Sequence, residues 1–330
     1  MKESDIRPDE LVIKQQECLK QDIEWLLTHK HKFEVVTCPA CNSHKRRPKF
    51  NKNGIEYFDC LECETFYVSP RPTLDVLHDF YRQSKNYEFW NNYIFPASEN
   101  ERRNKIFKPR VEKVIQFCKK YNLGNDSIIE IGSGFGTFCE EMKSRNYFNE
   151  VVAVEPTPSL AKSFRKRGIK TIELPVEKIS VKNKYNVLVS FEVIEHLHSP
   201  SNFVNDIKKL LTDSGVVILS CPNGKGFEIQ QLREKSSSVD HEHLNYFNPN
   251  SLKTLLENSG FEILEIQTPG KLDAELVRKK IIADEISIDQ ESYLNKVLIN
   301  EWESFGGEFQ KFLAKTNQSS HMVIVAKKVD

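Results

Sequence analysis

Residues 126–138 read DSIIEIGSGFGTF, and they restrict the fold more than any other stretch of the chain. Ile128, Ile129 and Ile131 form an apolar run, Gly132, Gly134 and Gly136 follow, and then the amphipathic FGTFCEEMKSRN begins. Strand, bare loop and helix in that order are the context of a ligand-binding turn at the carboxyl end of a parallel strand. VVAVEP supplies a second strand ending at Glu155, and further strand-length apolar segments occur at 169–173, 185–191, 215–221, 261–267 and 321–327. Helix-favouring segments separate them. This alternation predicts an α/β chain with a doubly wound, mainly parallel seven-stranded sheet. One helix is marked at both ends, over 249–259, by Asn248 as cap, Pro249 in the first turn and Gly260 as stop.

The glycine spacing narrows the ligand. A dinucleotide fingerprint would carry its third glycine where Thr137 stands, which counts against hydride transfer. Glu155 is placed to accept hydrogen bonds from ribose hydroxyls. Glu130, just before the loop, would repel a pyrophosphate and attract a cationic ligand such as a sulfonium bearing an amino group.

Four of the eight cysteines are paired in sequence, as CPAC (Cys38, Cys41) and CLEC (Cys60, Cys63). This C-x2-C…C-x2-C spacing fits a structural four-thiolate zinc site, and the Asn-Gly turn between the pairs fits a ribbon hairpin. Cys18, Cys118, Cys139 and Cys221 are scattered and read as small buried thiols. The basic run HKRRPK within the ribbon reads as a solvated hairpin tip or, alternatively, as a patch for a phosphorylated or nucleic-acid partner.

EIGSGFGTF, VVAVEP and VLVSFEVIEHL resemble the successive motifs of class I S-adenosylmethionine-dependent methyltransferases, a likeness that covers residues 105–268. The resemblance implies a Rossmann-like sheet and S-adenosyl-L-methionine as cofactor. Gly132, Gly134 and Gly136 would let the backbone approach it, Glu155 would hold its ribose, Glu177 would lie at the adenine edge, and Glu130 and Ser190 would complete the site. The cysteine ribbon followed by YVSPRPTLDVLHDFY resembles bacterial methyltransferases with an N-terminal zinc ribbon, many of them in surface-polysaccharide or secondary-metabolite biosynthesis.

SFEVIEHLHSP places Glu192, Glu195 and His196 where the fourth parallel strand ends, at i, i+3 and i+4, on one face if a helix or helical turn starts there. VDHEHLNYF adds His241 and His243 after the fifth strand. The E-x-x-E-H run is similar to plant-type small-RNA ribose O-methyltransferases, where it holds a divalent metal, and to quinone-ring O-methyltransferases. That likeness implies Glu192, Glu195, His196 and His243 as ligands of a catalytic Mg, Mn or other divalent ion. Pocket shaping without metal, and general-base catalysis by His196, His241 or His243, remain alternatives.

The expected organisation is an N-terminal helical segment (1–33), a zinc ribbon (34–70), a helical aromatic connector or lid (71–118) and a methyltransferase domain (119–330) with a helical insert at 271–315. Zero formal net charge goes against tight non-specific nucleic-acid binding, and the polar N-terminus against a signal peptide. No apolar run is long enough to span a bilayer, so a cytoplasmic location is expected. The expected activity is O-methylation of a small-molecule substrate, a sugar or a phosphorylated or nucleotide-linked metabolite. Methylation of carbon or nitrogen by a histidine base, and a zinc-ribbon module binding RNA or protein on a methyltransferase scaffold, are the alternatives.

Overall fold

The computed structural model describes residues 2–180, 182 and 184–329. The chain divides into two compact units: residues 102–221, 252–266 and 323–330 form one, and residues 1–101, 222–251 and 267–322 form the other.

The first of these is built on a seven-stranded sheet. Its strands are β6 (Ser127–Ile131), β7 (Glu150–Val154), β8 (Lys170–Ile172), β9 (Tyr185–Phe191), β10 (Leu211–Pro222), β12 (Phe261–Gln267) and β13 (His321–Lys328), in the order β12-β13-β10-β9-β6-β7-β8. The pairings β10–β9, β9–β6, β6–β7 and β7–β8 are all parallel. The expected strands are therefore present, each within a few residues of its sequence limits. Val187, Val189, Val216 and Ile218 from the sheet pack with Val111, Val114 and Phe138 from helices Lys108–Lys120 and Thr137–Ser144 in one core. The switch in strand order lies between β6 and β9, and ligands of such sheets bind at the carboxyl ends there. The helix Pro249–Asn258 is present as expected, with Asn248 Oδ1 accepting the Ser251 amide at 3.0 Å and Gly260 at φ 79° ending the run.

The other unit contains the cysteine ribbon. Strands β2 (Arg46–Lys52) and β3 (Ile55–Cys60) form a hairpin whose turn residues, Asn53 and Gly54, both have positive φ, as a two-residue turn of this hand requires. β4 (Phe66–Val68) pairs antiparallel with β3. The basic run is not at the hairpin tip. Arg46, Arg47 and Lys49 lie within β2, where Lys49 pairs with Asp59 at 2.8 Å and Arg46 Nη1 donates to Ser69 Oγ. A two-stranded pair, β1 (Phe33–Glu34) with β5 (Arg71–Pro72), closes the base.

The ribbon has a fourth strand that its own segment does not contain. β11 (Asn245–Tyr246) pairs antiparallel with β4, giving the order β11-β4-β3-β2. Tyr246 stacks on Phe66 with centroids 4.0 Å apart and planes within 6°. The long helix Asp9–Thr28 and the short helices Leu74–Gln83 and Lys85–Phe89 belong to the same unit, with Leu26, Val76 and Phe80 buried together. Phe80 thus belongs to the core of this unit. The 271–315 insert is helical, comprising Asp273–Ile282, a turn at Lys296–Asn300 and Trp302–Lys315 around Ala274, Val277 and Leu298. None of the described helices is long and apolar enough to cross a membrane.

Candidate active site

At the carboxyl end of β6 the backbone turns through three left-handed glycines. Gly132 has φ 77°, and a Cβ there would lie 2.6 Å from Val193 Cγ2, so only glycine fits. Gly134, at φ 51°, is different: a Cβ there would meet nothing within 4 Å. Its bare backbone faces open space, the geometry a closely approaching ligand needs. Glu155, at the end of β7, is buried and accepts the amides of Gly134 (3.1 Å) and Thr157 (2.9 Å). Burial still raises its carboxyl above the ordinary range, against the pull of those two amides. The remaining lone pairs of a carboxylate so fixed suit a vicinal diol.

Glu130 lies within β6, almost wholly buried, and burial pushes its carboxyl up to about 8. It accepts Cys139 Sγ–H at 3.1 Å. Burial thus favours the neutral acid, against the pull of the Cys139 thiol and the Arg110 charge. Ser190, from β9, donates to the Ile131 carbonyl at 3.0 Å and so clamps β9 to the first turn of the glycine loop. Glu177 is exposed, on a single turn at Val176–Lys178.

The E-x-x-E-H segment does not present one helical face. Glu192 has φ 55°, a left-handed corner at the end of β9, and the helical turn covers only Ile194–His196. The glutamate spacing reads as i, i+3, but the corner at Glu192 breaks that relation. Glu192 is held twice by β10: its amide donates to the Ser220 carbonyl at 2.9 Å, and Ser220 Oγ donates to its Oε1 at 2.5 Å. Glu195 is fully buried, with His196 Nε2 4.0 Å from its Oε1.

Arg110 was missed by the sequence reading. It lies on the helix Lys108–Lys120, with its guanidinium over the Phe191 ring at 4.4 Å. Burial lowers its pKa, and the charges of Glu192, Glu130 and Glu195 partly restore it. No motif marks a lone arginine on a helix with several basic residues, so only the fold identifies this one.

His241 and His243 lie in the ribbon-bearing unit. His241 is buried edge-on against Phe80, with centroids 5.6 Å apart at 89°. His243 is only partly buried, and its Nδ1 is 2.9 Å from the Ser238 carbonyl. Of the two, His243 has the more accessible ring. Glu242 accepts Asn86 Nδ2 at 2.5 Å, Gln15 Nε2 donates to Asn86 Oδ1 at 2.8 Å, and Asp22 accepts the Asn86 amide at 2.9 Å. Burial raises the Glu242 carboxyl, against the pull of His241.

The four ribbon cysteines converge. Cys38 and Cys63 Sγ are 3.4 Å apart, Cys41 and Cys60 Sγ 3.6 Å, and all four sulfurs lie within 4.8 Å of one another. A tetrahedron of zinc–sulfur bonds has edges of about 3.8 Å, so the set fits zinc and is too open for disulfides.

The profile of the methyltransferase-domain family matches residues 100–266, half of the chain. The chain belongs to that family. Among curated proteins it is similar to the C-methyltransferase NovU of Streptomyces niveus, 26% identical over 167 residues that cover 48% of this chain and 38% of NovU. It is also similar to the ubiquinone biosynthesis O-methyltransferase of Rickettsia canadensis, 20% identical over 171 residues, 48% of this chain and 72% of that enzyme. The chain spans less than two fifths of the length of the first curated relatives it matches. A solved S-adenosylmethionine-dependent methyltransferase from Thermotoga maritima aligns at 20% identity and TM-score 0.48, covering 76% of this chain and 99% of that one.

Proposed function

We propose that the protein is an S-adenosyl-L-methionine-dependent methyltransferase acting on a hydroxyl of a sugar or similar small, phosphorylated or nucleotide-linked metabolite of a polysaccharide or secondary pathway. The observation that carries the reading is the pairing of the open backbone at Gly134 with the buried Glu155 that accepts its amide. In this reading Glu155 takes the ribose hydroxyls, Glu130 ionises beside the ligand's ammonium group, and Arg110 faces its carboxylate. Gly132 and Gly136 shape the same turn, Ser190 holds it to β9, and Glu177 contributes at the adenine edge.

When bound, the cofactor supplies an activated methyl group for in-line displacement. The chain's own task is to orient the acceptor and take its proton. Glu192, Glu195, His196, His241 and His243 are the groups proposed for that work. A divalent ion on Glu192, Glu195, His196 and His243 would lower the acceptor's pKa. The second reading, methylation of carbon or nitrogen by a histidine base without metal, is favoured by Arg110, whose charge already acts on both glutamates. Likeness to a C-methyltransferase points the same way. The ribbon cysteines are proposed to hold one structural zinc.

Calorimetry with S-adenosylhomocysteine tests the central claim. Binding that Glu155→Ala weakens about 10- to 100-fold, or about 1.4–2.8 kcal/mol, is expected. Unchanged affinity in that variant overturns the assignment. Metal analysis of the wild type and Glu192→Ala separates the two chemistries: a second ion lost in the variant supports metal assistance, and a single zinc in both supports the histidine base.

A further inference from the structure

The segment 236–246, which carries His241 and His243, is held by the ribbon on both sides of the histidines. Lys52 Nζ donates to the carbonyls of Ser236 (2.7 Å) and Val239 (2.5 Å). Tyr57 Oη donates to the Asp240 carbonyl at 2.8 Å, and the Asp240 amide donates to Tyr246 Oη at 3.0 Å. Beyond the histidines, the Leu244 carbonyl accepts the Val68 amide at 3.0 Å and Arg71 Nη2 at 3.3 Å. Tyr57, Tyr246 and Arg71 are all buried, so these bonds are made away from water, where losing one partner costs most. The path of the segment is thus set before and after His243 by residues from the hairpin strands and their continuation.

Within that frame Asp240 shapes a tight turn. Its Oδ1 accepts the amides of both Glu242 and His243 at 2.9 Å, and its Oδ2 lies 3.5 Å from His243 Nδ1. The His243 Nδ1 is also 2.9 Å from the Ser238 carbonyl. A carbonyl oxygen only accepts, so the proton of the neutral ring is on Nδ1 and the basic lone pair is on Nε2. Free histidine favours the opposite form, with the proton on Nε2. The frame therefore has a chemical consequence.

We propose that Asp240, the ribbon's Tyr57 and the segment's own Tyr246 are positioning residues that fix His243 as the Nδ1–H tautomer and make Nε2 its working nitrogen. This rests on the reading of His243 as a participant in methyl transfer. It gives the ribbon a task beyond its own stability: the hairpin is the template on which the histidine turn is laid. Asp240 is then a selective element, since its two acceptor roles can be kept while its charge is removed.

The test is nitrogen-15 NMR of the full-length, zinc-supplemented protein labelled on histidine, with the His243 signals assigned through His243→Gln. The expected wild-type pattern is a protonated Nδ1 and an imine-type Nε2. Asp240→Asn keeps the pattern, because an amide oxygen still accepts the two backbone amides. Asp240→Ala loses the imine-type Nε2 signal, and Tyr57→Phe shows a partial loss. A wild-type proton on Nε2, or a tautomer unmoved by Asp240→Ala, overturns the proposal. S-adenosylhomocysteine affinity is measured on the same samples. Its absence in the wild type would refute the methyltransferase reading while leaving the tautomer result standing.

Discussion

The two sheets are assembled in different ways. In the seven-stranded sheet, β6, β7, β8, β9 and β10 follow one another along the chain, with the helices Thr137–Ser144, Pro158–Lys166 and Pro200–Lys209 between them. The ribbon sheet takes three strands from residues 46–68 and its last from residues 245–246. The first pattern makes a ligand site from a local sequence, the strand and its glycine loop. The second makes a geometric frame for a distant histidine turn, held by hydrogen bonds from Tyr57, Lys52 and Arg71. Local assembly gives binding that survives elsewhere-directed mutations. Borrowed assembly ties one region's stability to another region's chemistry.

The largest test of that contrast is removal of the ribbon thiolates. With zinc held by the thiolates as proposed, Cys60→Ser/Cys63→Ser should lose one metal equivalent, and with it a binding energy of about 10 kcal/mol that is also folding energy. Near-ultraviolet circular dichroism should then report loss of the Phe66–Tyr246 packing, while S-adenosylhomocysteine affinity stays within a few-fold, because the glycine loop and Glu155 do not draw on the ribbon strands. A collapse of affinity would erase the distinction between the two sheets.

Gly132→Val attacks the other side. The left-handed φ and the 2.6 Å approach to Val193 should cost about 3 kcal/mol of ligand affinity, roughly 100-fold by calorimetry, with far-ultraviolet dichroism unchanged.

A pH series sharpens the comparison further. Glu130 has its carboxyl raised from an ordinary 4.5 to about 8, so the folded chain holds a proton that the unfolded chain has released. Stability contributed by this site is therefore intact below about pH 4.5 and falls as pH rises toward 8. The difference in unfolding free energy between wild type and Glu130→Gln should change by on the order of 5 kcal/mol across that interval, measured by urea titration at each pH. A flat difference would mean that the carboxyl is not buried as neutral acid.

The smallest effect is expected at the ribbon stack. Phe66→Leu removes the aromatic partner of Tyr246 and should lower stability by about 1 kcal/mol in urea, with Asp240-dependent ordering of His243 weakened in step.

Much of this was legible in the sequence, for reasons that differ by element. Strands such as YNVLVSF are buried on both faces, so their apolar run is continuous and their limits are sharp. The glycine loop is legible because a left-handed turn admits few residue types. C-x2-C pairs are legible because their spacing is itself the ligand geometry. The helical face of Glu192, Glu195 and His196 was misread, since periodicity cannot foresee a left-handed corner at Glu192 imposed by its two bonds to Ser220. Of the two readings of the basic run, the hairpin tip fails because Asn53-Gly54 lies beyond it, and the partner patch is untouched by that geometry.

The parallel sheet, the glycine turn at its switch point and the four-cysteine cluster are written in short local patterns: continuous apolar runs, closely spaced glycines and C-x2-C pairs. Folding alone brings Arg110 under the charges of three glutamates and adds residues 245–246 to the ribbon sheet beside the histidine turn. Those pairings join segments far apart in the chain. Their selection depends on buried hydrogen bonds and ring stacking formed after collapse, for which no local pattern exists.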